Sequence, residues 1–104
     1  MSVRARVPVV GGLAYVERVR RQPSSFEVSL VAEPGNRFFR QAVAVLAGGD
    51  KLGYVAPEVA LRYFELLSAA VTPLTCPARR GTVSDRETSG VELLLDFSGL
   101  PEPG

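Results

Sequence analysis

The chain has 104 residues, a formal net charge of +1, a single cysteine and no histidine. That length fits one domain with one core, and a hydrophobic content of 46% argues against a disordered chain. Without histidine there is no imidazole for zinc ligation or for activating a serine or cysteine. With Cys76 alone there is no internal disulfide. No two carboxylates show a spacing that demands acid–base or metal work. We therefore expect neither an enzyme, nor a metal, nor a cofactor. No apolar run approaches the ~20 residues of a membrane span. The first residues lack the apolar stretch of a signal peptide, which predicts a cytoplasmic protein.

In chain order, Val7 to Val10 reads as a strand that Pro8 confines to an edge or a strand start. Gly11-Gly12 breaks it. Leu13 to Arg21 reads as a short helix, slightly preferred over an extended segment, because Tyr15 and Val19 are four apart. Phe26 to Val31 alternates as a half-buried strand. Glu33-Pro34-Gly35-Asn36 is turn chemistry. Ala42 to Ala47 is the next strand, and Gly48-Gly49-Asp50 turns it back onto Leu52 to Val55. Pro57 to Val71 is the firmest element, a helix with Ala60, Tyr63, Phe64, Leu67 and Val71 on one stripe and Tyr63, Phe64 and Leu67 facing inward. Leu74 to Val83 reads as a strand broken at Pro77 and at Arg79-Arg80-Gly81. Ser84 to Gly90 reads as a polar loop, and Val91 to Phe97 as the last strand. The sum is a β-rich α+β fold: a small, partly open barrel of five or six strands with one firm helix and a second short one. It forms a single domain over residues 1–104, with a core over about 7–98 and a frayed tail over 99–104.

Charge is unevenly spread. The first 21 residues hold five arginines against Glu17, while residues 82–104 hold five carboxylates against Arg86. Eleven of the twelve basic residues are arginine, Lys51 being the exception. Arginine suits bidentate phosphate contacts and stacking on bases, although a GC-rich genome also favours it. The densest chemistry lies at Asn36-Arg37-Phe38-Phe39-Arg40. Aromatics beside guanidinium groups form a platform for flat, anionic ligands such as nucleic-acid bases and their phosphates. The same residues also suit a turn in which Asn36 bonds its own backbone and one phenylalanine plugs the barrel. Gly53-Tyr54 reads either as the close approach of a ligand or backbone, or as a bulge. Tyr15 is a second stacking candidate or a core residue. Arg18, Arg20 and Arg21, like Arg79-Arg80, read as solvated. Cys76 reads as an inert apolar residue.

Glu33-Pro34-Gly35-Asn36, Ala42-Val43-Ala44-Val45 and Lys51-Leu52-Gly53-Tyr54-Val55 resemble, in order and spacing, the signature blocks of the HIRAN domain. Val9-Val10-Gly11, Glu58 and Ala60, and the alternation Val91 to Phe97 extend the likeness over about Val9 to Phe97. The resemblance implies an OB-like barrel that binds single-stranded DNA or a DNA 3′ end, in a repair or processing setting beside a helicase or nuclease. It implies that Asn36 shapes the pocket, that Phe38 and Tyr54 stack, that Tyr15 matches a tyrosine after the first strand, and that Arg37 and Arg40 neutralise phosphates. The chain departs from the family where Phe39 replaces an aspartate able to accept a hydrogen bond from the 3′-hydroxyl. Arg37 also replaces a proline, Gln41 an asparagine and Pro57 a DNA-contacting lysine. These departures leave a second expectation open: a protein-interaction or regulatory domain that keeps the fold and has lost the DNA pocket.

Overall fold

Six stretches of the chain become strands, and each pairs antiparallel with its neighbours. A computed structural model describes residues 6–11, 13–84 and 89–103. The elements are β1 (Val7–Val10), α1 (Leu13–Arg20), β2 (Ser25–Glu33), β3 (Ala42–Ala47), β4 (Asp50–Val55), α2 (Pro57–Ala69), β5 (Leu74–Ser84) and β6 (Ser89–Leu95). The strand order β1-β4-β3-β2-β5-β6 closes on itself. The expected Gly12, Arg4 and the centre of the loop at residues 85–88 lie outside the described residues.

The barrel is closed rather than partly open. β1 is not an edge: Val9 and Val10 pair with Val55 and Tyr54, while Val7 and Pro8 pair with Leu95 and Leu94. The Pro8 carbonyl points toward the β4 side, where it accepts from the Ala56 N–H at 3.1 Å. The donor that proline lacks therefore faces away from β6, and the closing seam loses nothing. Pro77 does not break β5 for a related reason. Its carbonyl faces β6, accepting from the Asp96 N–H at 3.0 Å, where that strand has already ended at Leu95. Arg79, Arg80 and Gly81 are paired strand residues opposite Leu94, Leu93 and Glu92, and Ser84 pairs with Ser89. Ser84, Ser89 and Gly90, expected in a polar loop over residues 84–90, are therefore paired strand residues.

β1 is so short that β4 and β6 outrun it beyond Val10. α1 packs against both and fills the missing length of strand, with Val19 in the core. α2 covers the other opening, packing against β2, β3 and β4. Its Ala60, Tyr63 and Leu67 are buried, and the Tyr63 ring meets Phe97 edge to face at 4.9 Å. The helix ends at Ala69 rather than Val71. Pro73 has no N–H to bond the Ala69 carbonyl, so the last turn cannot propagate. Ala70 is extended, and Val71 is left fully exposed. Phe64, expected inside, is half-buried at the core's margin. The tail is not frayed throughout: Leu100 is 8% exposed and joins the core. One hydrophobic core therefore takes side chains from all six strands, both helices and the segment after β6.

Candidate nucleic-acid interface

Turn chemistry sets the first wall of the site. The Asn36 N–H donates to the Glu33 carbonyl at 3.1 Å, closing a turn over Glu33-Pro34-Gly35-Asn36. The Asn36 Oδ1 then accepts the N–H groups of Phe38 and Phe39 at 2.9 and 3.1 Å. Both neighbours are thereby held by one side chain. Phe39 turns inward and packs on the core margin, while Phe38 stays 95% exposed. The turn held by Asn36 thus separates the two phenylalanines, one toward the core and one toward solvent.

The second wall depends on a bulge. Val45 pairs with Gly53 and Leu46 with Lys51, so Leu52 has no opposite number on β3. The extra residue shifts the alternation of β4 by one. Leu52 and Gly53 both become buried, and Lys51 and Tyr54, three apart, share the outer face. Gly53 is required here. Its φ is +145°, and a Cβ would stand 2.6 Å from the Val10 carbonyl oxygen. Both of the expectations for Gly53, bulge and close backbone approach, hold together.

On that outer face, Tyr54, Lys51 and Glu33 meet above Ala44, which is fully buried. The Tyr54 hydroxyl donates to Glu33 Oε1 at 3.0 Å, and Lys51 Nζ donates to Glu33 Oε2 at 2.6 Å and to the Tyr54 hydroxyl at 2.8 Å. Asn36 Nδ2 donates to Glu33 Oε1 at 3.1 Å. Partial burial pushes the Glu33 carboxyl up. The hydrogen bonds from Lys51, Asn36 and Tyr54, with the charge of Lys51, outweigh that and hold it below its ordinary value. The hydrogen bond to Glu33, with that to Tyr54, holds the Lys51 ammonium above its ordinary value against partial burial. Lys51 also lies 4.8 Å from the Tyr54 ring centre. Sequence reading missed this cluster, because Glu33 looked like a turn residue and Lys51 like a hairpin residue. A long acidic and a long basic side chain flanking the alanines of β3 were the available signal.

Between the two walls lies a pocket of about 170 Å³. Asn36, Phe38 and Phe39 line one side, Tyr54 and Val55 the other, and Val10, Ala42 and Pro57 complete it. Of the expected site residues, the fold thus gathers Asn36, Phe38, Phe39 and Tyr54 around one hollow. Tyr15 stands one step away, its ring 6.5 Å from that of Tyr54 and nearly perpendicular to it. Arg37 and Arg40 are exposed on the turn and do not line the pocket. Larger hollows of about 440 Å³ beside Arg6 and Arg79, and about 600 Å³ along α2, hold no aromatic side chain.

Cys76 is buried, and burial pushes its thiol up to about 12. It is therefore a poor nucleophile. Among the described residues no group of histidine, cysteine, aspartate or glutamate is arranged to hold a metal ion. No helix of the described residues is long and apolar enough to cross a membrane. No family model, curated protein or solved structure matches this chain.

Proposed function

We propose that this barrel is a non-catalytic module that binds single-stranded nucleic acid. In this reading it works in the cytoplasm in DNA repair or processing, beside a helicase or nuclease, as the HIRAN resemblance suggests. The observation that carries the reading is Phe38. A phenylalanine ring 95% exposed at the rim of an apolar pocket, between two exposed arginines, is costly to leave in water unless a flat partner covers it. The pocket volume of about 170 Å³ is below the ~300–1,000 Å³ of sites for whole small molecules. It suits one ring system inserted from a chain. Phe38 and Tyr54 would stack a base, and Arg37 and Arg40 would meet its phosphates.

The pocket offers little for an end hydroxyl. Phe39 lines one wall and offers no acceptor, Glu33 already accepts from three donors, and the Asn36 oxygen is taken by its own turn. A site without a free acceptor does not discriminate a 3′-hydroxyl from a 3′-phosphate.

Fluorescence anisotropy with a labelled oligonucleotide at low and moderate salt tests the reading. Binding should be weak and salt-sensitive, with little end preference. Phe38→Ala should reduce it by ~1–3 kcal/mol, and Arg37→Ala with Arg40→Ala should flatten the salt slope by about two phosphate equivalents. No binding at low salt would transfer the exposed pocket to a protein partner.

A further inference from the structure

We propose that the binding track continues beyond the pocket onto α1, where Arg18 takes a second phosphate of the same strand. The inference rests on the nucleic-acid reading of the pocket and extends it by one residue that sequence reading treated as solvated. The pocket wall Tyr54 touches Tyr15, and the Arg18 guanidinium lies 5.7 Å from the centre of the Tyr15 ring. These contacts form one continuous surface from the turn to the helix.

The surface is built rather than incidental. The Tyr15 ring lies against Gly11 so closely that a Cβ there would stand 2.7 Å from Tyr15 Cδ2 and 3.1 Å from the Gly53 Cα. Two glycines thus let β1, β4 and the tyrosine approach one another. Arg18 is fixed a second time, since one terminal nitrogen donates to the Lys51 carbonyl at 3.1 Å. A guanidinium has five N–H donors, so this bond leaves a free fork for a phosphate. An arginine already held by a ring and a carbonyl has less freedom to lose on binding.

Local charge agrees. Arg20, two residues on, is engaged by Glu17 at 2.9 Å. Glu33, a carboxylate of the site, is paired with Lys51. No carboxylate pairs with Arg18 among the described residues.

The test compares a thymidine mononucleotide with an oligothymidylate of about twelve nucleotides, the latter within the footprints small barrels bind. The short probe fills the pocket alone, while the long one reaches α1. Arg18→Ala should weaken the long probe severalfold and make its salt slope shallower by about 0.7, while leaving the short probe unchanged. Arg18→Lys should restore the slope but not the full affinity, because it keeps the charge and loses the fork. Equal weakening of both probes would mean that Arg18 merely supports the fold and would overturn the assignment. So would an unchanged slope for Arg18→Ala in a protein that Phe38→Ala still cripples; that result would leave the pocket reading intact. Failure of the unaltered protein to bind either probe would overturn both.

Discussion

Glu33 accepts hydrogen bonds from Asn36 on the turn and from Lys51 and Tyr54 on β4, so one carboxylate joins both walls of the pocket. Its acidity ties that junction to pH. The folded-state value lies below the ordinary 4.5, so its contribution is present above about 4.5 and is lost as pH falls through the folded value. Lys51 is raised above its ordinary 10.5. Its contribution is present below that value and is lost as pH rises through the folded one. The junction is therefore complete across the neutral range. Glu33→Gln should cost roughly 1–3 kcal/mol near neutrality, because it sets an amide against the Lys51 ammonium. Thermal melts between about pH 3 and 7 should show the gap from wild type narrowing as the solution becomes acidic. A constant gap would mean that the carboxylate charge contributes nothing. This cluster was not legible from local pattern. Glu33 and Lys51 are 18 positions apart, and only the bulge at Leu52 turns Lys51 and Tyr54 to the same side.

At the scale of elements, periodicity read the two helices and six strands well, because each presents a continuous apolar face to one core. It failed where a proline acts through direction rather than presence. Pro8 reads as an edge or a strand start and Pro77 as a break, yet each aims its missing donor where no ladder bond is lost. Pro73 acted earlier than expected, ending α2 at Ala69 and exposing Val71. The apolar stripe of α2 is accordingly narrower than spacing implied. Tyr63→Ala should cost ~3–5 kcal/mol, since its ring is buried against Phe97. Phe64→Ala should cost roughly half as much, its ring lying at the core's margin, and Leu61→Ala should fall within about 0.5 kcal/mol, its side chain being 52% exposed. Urea titrations of the three variants check this order. A Phe64→Ala loss equal to that of Tyr63→Ala would restore the wider stripe.

Over the whole molecule, the barrel wall, its two helical plugs and the segment after β6 share a single core, and this binds distant parts of the chain into one cooperative unit. Composition announced one core, but not that the core would reclaim Leu100 from a stretch rich in proline and glycine. That pattern reads as a loose tail because local propensity carries no information about the hollow left between a helix and a barrel end. Phe97 is completely buried, and the Leu100 N–H donates to its carbonyl at 2.9 Å, turning the chain back so that Leu100 enters the core. Leu100→Ala should therefore behave as a core substitution, costing ~2–5 kcal/mol. For a domain of this size each kcal/mol shifts the melting temperature by ~4–8 °C, so the loss should exceed about 8 °C. The transition should remain single and sharp, because no part of the fold has a second core on which to persist. A melt by circular dichroism at two wavelengths decides it. An unchanged midpoint would return residues 99–104 to the frayed tail that composition suggests. A split transition would show that the α2 end unfolds apart from the barrel.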